Sequence, residues 1–545
     1  MRLALVAVLG AGVLDVCDAA FECMVGHSKC CCNNQPGAND PRGRTDYGTR
    51  CGRWDAADEK PWCVVANGAC DHDETFSSSP GHYWSHAPCN GEGLPFVHDS
   101  GGAAAGGGAT VLRGAAGLAA ASAMDEDMHI VFSTSCNEFQ HWQTEVLLNT
   151  AQRVGQRGKI THIIAGCEER EDAGMSGKVR HITHAAGEND NVVKDHIWRK
   201  SSNPNFALHY APAIPEAKEF PWFNKPWSFY HWMKSAKPKE RVIVLLDPDE
   251  FFLEALTQGD KKREDLINSW PASMQSRVTD VVQPGMAVGQ MYGFGSVWMN
   301  MFDRNKMCGA SSYCATIPYN EANWYYPVGP PYLIHQQDFK PIMDKWWAFM
   351  KPAYAADKGD IQVDMYAYIM AAADLKVKHV ILEQYMVSCP DCGGEGWKYI
   401  DALPTLSCHA PAFPAGARRP TFIHAAQHYH ACTKGDRPTG GGCSTPGSEM
   451  WNFHKGHVPS RILECEQPLL VQPPDNLFNV QVGVHNRRNA FMICVLLKMV
   501  NDAACDFRKK YCPNGFNSNQ CVRIDIRGDG EFPLARRICG KRIET

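Results

Sequence analysis

Beyond its first residues, the sequence has no long apolar run and no block of a single charge sign. Its 545 residues carry a net charge of -5, with 54 basic and 59 acidic side chains. This balance gives no indication of nucleic-acid binding. No stretch after residue 20 is apolar enough for a membrane span, so none is expected. An Asn-x-Ser/Thr sequon is also absent, and N-glycosylation is therefore not expected.

The short apolar run at the N-terminus has the layout of a secretory signal peptide. Arg2 precedes apolar residues 3–14, and the small residues Ala19 and Ala20 follow. We assign residues 1–20 to the signal peptide. Asp15 closes a run that is too short to cross a bilayer, which disfavours a membrane anchor. The mature chain is expected in the secretory lumen, either in the Golgi or ER or exported.

Cysteine is scarce in the centre of the chain and dense at both ends. Most of the 24 Cys lie within residues 23–89 and 389–539. In a secretory chain this density predicts disulfides. Cys389 and Cys392, followed by Cys408-His409, have a spacing that loosely matches a zinc site. Disulfides are favoured over zinc there, because the secretory lumen is oxidising.

These shifts in composition divide the chain. Residues 21–95 form a Cys-rich module that is too poor in apolar residues for a large core. Its Trp54 and Trp62 either stack on sugar rings or form its small core. Residues 96–127 are a Gly/Ala-rich linker. Residues 128–432 are the large domain, and residues 433–545 are a Cys-rich C-terminal extension.

The large domain alternates strand and helix patterns. Residues 129–134 and 159–165 predict strands, and residues 139–154 between them predict an amphipathic helix. This order predicts a parallel pair in an α/β domain. Later patterns predict helices over residues 221–234, 360–372 and 488–505 and a strand over residues 378–382.

The most informative stretch is a continuous apolar run that ends in two carboxylates. Residues 242–246 are all branched and apolar, which is typical of a strand buried on both faces. Pro248 ends the strand. Asp247 and Asp249 therefore lie at its carboxyl end, where open α/β sheets place ligands. Asp-x-Asp here offers oxygen ligands to Mn²⁺ or Mg²⁺ beside a nucleotide sugar, although a polar turn often contains two Asp.

Several blocks of the chain, taken in order, form a set that is informative as a whole. They are Phe132-Ser-Thr-Ser135 with Trp142-Gln143, Ile163-Ile-Ala-Gly-Cys167, Asn224-Lys225-Pro226-Trp227 with His231-Trp232, Val244-Leu-Leu-Asp247-Pro248-Asp249, Asp364-Met-Tyr-Ala-Tyr368, Phe422-Ile-His424, Trp451-Asn-Phe-His-Lys455 and Lys498-Met-Val-Asn501. This ordered set resembles the hydroxyproline O-arabinosyltransferase family and the related peptidyl-serine α-galactosyltransferases. The resemblance covers roughly residues 128–501. Glu250 and Ala425 depart from it, since the family often has His and Tyr there.

The resemblance implies a GT-A-like fold, which is a Rossmann-type mixed sheet, and a UDP-sugar donor. It also implies transfer with retention of anomeric configuration and a protein acceptor that carries hydroxyproline or serine. A UDP leaving group develops negative charge, and a bound Mn²⁺ or Mg²⁺ stabilises that charge as a Lewis acid.

On this basis we predict Asp247, Asp249 and His424 as metal contacts. Asp249 is the direct ligand, whereas Asp247 binds through water or holds the ribose. His428 and His430 are rivals of His424, because three His within seven residues also fit a separate metal cluster or a wet surface loop.

Further site residues follow from the same blocks. Asp364 is the predicted catalytic residue, which orients the acceptor or stabilises the transition state. The alternative interpretation is that Asp364 only makes a favourable contact with the dipole at the N-terminus of its helix. Thr134 is placed near the nucleotide base. Asn224 and Lys225 are placed near the sugar or phosphates, although Lys225 also suits a solvated helix surface. Trp227 is expected in the core.

The sequence thus predicts a metal-dependent transferase that moves a sugar from a UDP-sugar to a protein hydroxyl. The favoured reaction is L-arabinofuranose to hydroxyproline, and the close alternative is galactose to serine. A rival of another class is a secreted carbohydrate-binding protein. A glycoside hydrolase is disfavoured because no acid/nucleophile pair stands out.

Overall fold

The structure, a computed structural model, describes residues 127–171 and 205–512, apart from 260, 262, 293–297, 358–361, 437 and 440–441, together with a few isolated strands. The predicted signal peptide, most of the Cys-rich module and nearly all of the linker lie outside the described residues. The chain divides into the compact units Met1–Thr110 and Val111–Thr545. From the first unit the structure describes one antiparallel sheet, made of Cys63–Val65, Glu74–Phe76 and Tyr83–Ser85.

The second unit is a mixed α/β structure built on a seven-stranded sheet. Its strands are β1 (Met128–Ser135), β2 (Lys159–Ala165), β3 (Phe206–Ala211), β4 (Val242–Leu246), β6 (Met286–Met291), β7 (Val328–His335) and β8 (Lys378–Leu382). Their order across the sheet is β8-β6-β7-β4-β1-β2-β3. β7 is antiparallel to both of its neighbours, and the other pairings are parallel.

The predicted α/β alternation is confirmed. Every residue of β4 is buried, as expected for an apolar run in the middle of a sheet. Helix α1 (Glu138–Arg153) connects β1 to β2, and the Asn137 side chain caps its first turn by accepting from the Gln140 N–H. The predicted β2, β4 and β8 have the observed bounds. The GT-A assignment stays a prediction.

Three more helices pack beside the sheet. They are α2 (Asn224–Ser235), α3 (Gln336–Ala356) and α4 (Val363–Asp374). α2 packs on β1, β2 and β3, and α3 packs against both α2 and α4. The predicted helix over residues 221–234 is a 3-10 turn, Pro221–Phe223, that leads into α2.

A small second sheet lies beyond the end of β4. It pairs β5 (Glu250–Phe252) with β10 (Phe422–His424) in antiparallel register, and β9 (Met386–Val387) with β10 in parallel. Glu250 is opposite His424 in this register. The pairing therefore brings a distant part of the chain to the carboxylates that follow β4.

The chain beyond residue 432 packs on the same unit. β11 (Tyr429–Cys432) pairs with β12 (Met450–Phe453), so the predicted boundary at residues 432 and 433 runs between two paired strands. Helix α5 (Val484–Tyr511), longer than the predicted 488–505, packs on α1 and β11. Disulfides Cys408–Cys494 and Cys432–Cys443 also cross this boundary.

Short elements complete the described part. None of its helices has the length and apolar character needed to cross a membrane. The remaining strands are Cys167–Glu171 with Arg180–His184, Pro438–Thr439 with Gly442–Cys443, and Leu469–Leu470 with Gln520–Val522, Arg536–Ile538 and Lys541–Arg542; the remaining helical segments are Glu216–Glu219, Arg263–Asp265, Ala272–Arg277, Trp298–Met301, Arg304–Cys308, Tyr313–Thr316, Tyr319–Tyr325, Trp397–Asp401 and Lys455–His457.

Candidate active site

The candidate site lies where β4 ends. Asp247 and Asp249 follow the strand directly, and the backbone then turns into β5 with the Glu250 N–H donating to the Asp247 carbonyl. The Asp249 carbonyl accepts from the Ala425 N–H at 3.0 Å. This bond, next to the β5–β10 pairing, fixes His424 beside the two carboxylates.

Asp247, Asp249 and His424 converge to within metal-ligand range. One ligand atom from each of them lies within 4.8 Å of the other two. His424 Nε2 is 3.4 Å from Asp249 Oδ1, while its Nδ1 faces the sulfur of Met386 at 3.2 Å. Nε2 is therefore the ring nitrogen on the carboxylate side. Two carboxylates and an imidazole suit Mn²⁺ or Mg²⁺, so the residues present fit the predicted ion.

Two lysines neutralise the two aspartates. Lys455 Nζ is 2.6 Å from Asp249 Oδ2, and Lys225 Nζ is 2.6 Å from Asp247 Oδ1. Burial alone would raise the pKa of Asp249, but Lys455 and His424 outweigh it and hold that pKa well below its usual range. Asp249 is therefore a buried carboxylate that stays charged.

The pKa values of the three basic groups beside these carboxylates shift upward. Burial alone would lower the pKa of Lys225, of Lys455 and of His424, but the neighbouring carboxylates outweigh it and raise all three. The site is therefore a cluster of alternating charges in which both lysines stay protonated at neutral pH.

Glu250 is a different kind of carboxyl group. Its side chain is fully buried, and one of its oxygens accepts from the Asp247 N–H at 3.0 Å. Burial raises the pKa of Glu250 to about 8. It therefore supports the turn between Asp247 and Asp249 mainly as a neutral group at pH 7.

The predicted catalytic residue Asp364 joins this cluster through Lys225. It lies in the first turn of α4 and is only 2% exposed. Its Oδ2 is 3.4 Å from Lys225 Nζ, so one ammonium group lies between Asp247 and Asp364. Burial raises the pKa of Asp364, while Lys225 opposes that shift. The Asp364 carbonyl accepts from Trp346 Nε1 at 2.7 Å, which fixes the start of α4.

Asn224 and Thr134 occupy different places relative to this cluster. The Asn224 amide donates to Ser135 Oγ at 2.8 Å, which ties the start of α2 to the end of β1. The Thr134 hydroxyl instead bonds His162 on the neighbouring strand at 2.7 Å and is buried. Ser135, which was not predicted, is thus the hydroxyl that contacts Asn224. The roles of Thr134 and Asn224 at a nucleotide stay predictions.

The rivals of His424 lie apart from the carboxylates. His428 stacks on His454 with ring centroids 3.6 Å apart, and His430 Nδ1 bonds the Asn452 side chain at 2.6 Å. Of the three histidines, His424 is the one that joins Asp247 and Asp249.

Lys455 is the main site residue that the sequence reasoning missed. It belongs to one of the blocks that carry the family resemblance, but lysine alone gives no signal for a metal site. Its contact with Asp249 spans 206 residues of sequence. Only the fold reveals it, because it brings the turn after β12 to Asp249, beyond the end of β4.

The cysteines near the site are oxidised. Cys389 and Cys392 form a disulfide, and Cys408 pairs with Cys494, so the favoured disulfide interpretation is confirmed there. Cys432, Asp436 and Cys443 also lie within metal-ligand range, but Cys432 and Cys443 are bonded to each other.

Comparison with known proteins identifies one distant relative of known activity. The chain is 22% identical over 273 residues to a peptidyl serine alpha-galactosyltransferase of Arabidopsis thaliana. The match covers 48% of this chain and 27% of that protein, so the chain spans about a quarter of its relative's length. No protein-family model matches the chain.

Proposed function

We propose that this protein is a metal-dependent glycosyltransferase that moves a sugar from a UDP-sugar to a hydroxyl group of a protein. The observation that carries the proposal is the convergence of Asp247, Asp249 and His424 at the carboxyl end of a buried strand. Similarity to a peptidyl serine alpha-galactosyltransferase supports the same reaction class.

The charges of the cluster suit a diphosphate leaving group. Asp247, Asp249 and His424 would hold a divalent cation, which when bound supplies Lewis-acid stabilisation of the departing diphosphate. Lys225 and Lys455 add two ammonium groups, one at each aspartate. Both stay protonated at neutral pH, so they bind and orient an anionic donor.

We assign Asp364 to the sugar side of the site, because Lys225 lies between it and Asp247. Lys225 connects it to Asp247, so donor binding and the placement of Asp364 depend on the same ammonium group. We assign Asp364 to orienting the acceptor or stabilising positive charge on the sugar. Retention then proceeds through a carboxylate nucleophile or through front-face attack assisted by the departing phosphate.

Two donor and acceptor pairs fit this chemistry. The ordered blocks favour L-arabinofuranose and hydroxyproline, whereas the relative favours galactose and serine. The deciding experiment offers UDP-arabinofuranose and UDP-galactose to a peptide containing both residues, with Mn²⁺ and with chelator. We expect transfer from one donor in Mn²⁺ and none with chelator; transfer that survives chelation would contradict the proposal.

Lys455 gives a second test of the same site. We expect Lys455→Met to weaken UDP binding in Mn²⁺ roughly tenfold or more, because a charged hydrogen bond contributes about 1.5–3 kcal/mol. The affinity for Mn²⁺ alone should rise, because the substitution removes the ammonium group that competes with the metal for Asp249. Calorimetry with each ligand measures both changes.

Lys345→Met is the matched control for this substitution. Lys345 also pairs with a largely buried aspartate, Asp374, but that pair is not part of the candidate site. Its UDP and Mn²⁺ affinities should match those of the unaltered protein. Equal UDP affinity in Lys455→Met and Lys345→Met would exclude Lys455 from donor binding.

A further inference from the structure

Tyr292 directly follows β6 and faces the side of His424 that points away from the carboxylates. Its hydroxyl oxygen is 3.5 Å from His424 Nδ1 and 3.6 Å from the Met386 sulfur, and Nδ1 is itself 3.2 Å from that sulfur. The other ring nitrogen, Nε2, faces Asp249. The imidazole therefore lies between the candidate metal site and the Tyr292 phenol.

The backbone at the ends of β6 and β7 determines where the Tyr292 ring lies. The Tyr292 N–H donates to the Pro327 carbonyl at 2.8 Å, which extends the β6–β7 pairing by one residue. Gly329 lies two residues later and contacts the ring. A Cβ there would be 2.2 Å from Cδ2 and 2.5 Å from Cγ of Tyr292. The ring can therefore occupy this place only because residue 329 is glycine.

The contacts of the Tyr292 hydroxyl determine which way its hydrogen bond to the imidazole runs. The hydroxyl is the donor to the Met386 sulfur, since a thioether can only accept. Its oxygen therefore accepts from the Nδ1–H of His424. A neutral imidazole carries one N–H, so a proton on Nδ1 leaves the lone pair on Nε2, the nitrogen on the carboxylate side.

We propose that Tyr292 is a positioning residue of the metal site, which accepts from Nδ1 and so keeps the Nε2 lone pair of His424 directed at the metal position beside Asp249. This inference rests on the proposed function, because it takes His424 as a metal ligand. A histidine that binds metal through one ring nitrogen almost always donates the other N–H to a fixed partner, and loss of that partner costs roughly 10–100-fold in metal affinity. Met386 does not replace the hydroxyl, since its sulfur is a weak acceptor.

The test is Mn²⁺ binding by the full purified chain, measured by calorimetry without donor. Tyr292→Phe keeps the ring against Gly329 and removes only the hydroxyl. We expect its Mn²⁺ affinity to fall roughly 10–100-fold while its circular dichroism is unchanged. Gly329→Ala keeps the hydroxyl but displaces the ring, and should weaken Mn²⁺ binding by at least about tenfold.

Tyr326→Phe is the matched control for the loss of a tyrosine hydroxyl. Tyr326 is fully buried, its hydroxyl has no hydrogen-bond partner among the described residues, and its ring packs edge-on against His379, outside the candidate site. The Mn²⁺ affinity of Tyr326→Phe should match that of the unaltered protein.

The Mn²⁺ dependence of donor hydrolysis separates positioning of a metal ligand from general packing. Tyr292→Phe should raise the Mn²⁺ concentration needed for half-maximal hydrolysis about tenfold or more, with a smaller effect on the maximal rate. A lower maximal rate with an unchanged Mn²⁺ requirement would overturn the proposal, because Tyr292 would then act elsewhere than on His424.

The binding measurements also separate this inference from the proposed function. Equal Mn²⁺ affinity in Tyr292→Phe and Tyr326→Phe, in a protein whose Mn²⁺ binding is lost in Asp249→Asn, would overturn the role of Tyr292 and leave the proposed function standing. Equal Mn²⁺ affinity in the unaltered protein and Asp249→Asn would overturn both, because the carboxylates would then hold no cation.

Discussion

Replacing Asp249 with asparagine is expected to reduce sugar transfer and donor hydrolysis about a thousandfold. Asp249 is 3% exposed, contacts both His424 and Lys455, and stays charged. The substitution keeps its shape but removes the charge that would hold a cation. Metal-ion catalysis contributes several kcal/mol to transition-state stabilisation, and each 1.4 kcal/mol is a factor of ten in rate.

The control for this prediction is Asp374→Asn, which alters a largely buried aspartate paired with Lys345 away from the candidate site. Its transfer rate should stay within about threefold of the unaltered protein. If Asp249→Asn keeps its fold by circular dichroism and transfers sugar at the same rate as Asp374→Asn, the cation site proposed here is wrong. If the unaltered protein and Asp249→Asn both bind glycan and neither transfers sugar, the protein is a carbohydrate-binding protein and not a transferase.

Replacing Trp346 with alanine is expected to lower the free energy of unfolding by about 3–5 kcal/mol. Trp346 is fully buried in α3, stacks against Phe229 of α2 and meets Tyr368 of α4 edge-on. Its truncation would leave a cavity where three helices meet. Because its Nε1 donates to the Asp364 carbonyl, the loss also frees the first turn of α4. Urea unfolding followed by circular dichroism measures the effect.

Trp222→Ala is the matched control for this prediction, because the Trp222 side chain is 42% exposed. Removing it should cost less than about 1 kcal/mol. Trp346→Phe separates packing from hydrogen bonding: it keeps most of the ring volume and loses the donor, so a smaller stability loss with a clear drop in transfer is expected. Equal stability loss in Trp222→Ala and Trp346→Ala would contradict this assignment of the core.

The sequence predicts best where chemistry and periodicity are local. The five branched residues of β4 and the Pro248 that follows predict a strand end, and the structure places the strand there. Asp247 and Asp249 follow from that end without further information. His424 was paired with them through the family resemblance rather than by physics, because the β5–β10 pairing that joins them leaves no local signal.

β7 shows why the sheet order could not be predicted. Pro330 and Pro331 argue against a central strand, yet all eight residues of β7 are buried. The pairing with β6 shifts register between Gly289 and Gln290 and passes over both prolines, and pairing with β4 begins only at Tyr332. A bulge thus accommodates residues that a regular ladder would exclude.

α3 was not among the predicted helices. Pro341 and Pro352 lie inside its 21 residues, and proline usually breaks a helix interior. Packing of Trp346 and its neighbours between α2 and α4 outweighs that local penalty. Tertiary contacts, which a reading of single segments cannot include, decide both β7 and α3.

The pairing of β5 with β10 also determines when the candidate site can assemble as the chain is synthesised. Asp249 leaves the ribosome long before His424, and Lys455 emerges later still, 206 residues after Asp249. A nascent chain stalled after β8 would already contain every strand of the large sheet, yet it would lack the imidazole and one ammonium group. The charge cluster around Asp249 can therefore form only after the chain has been made through residue 455 and this later part has docked beside the end of β4.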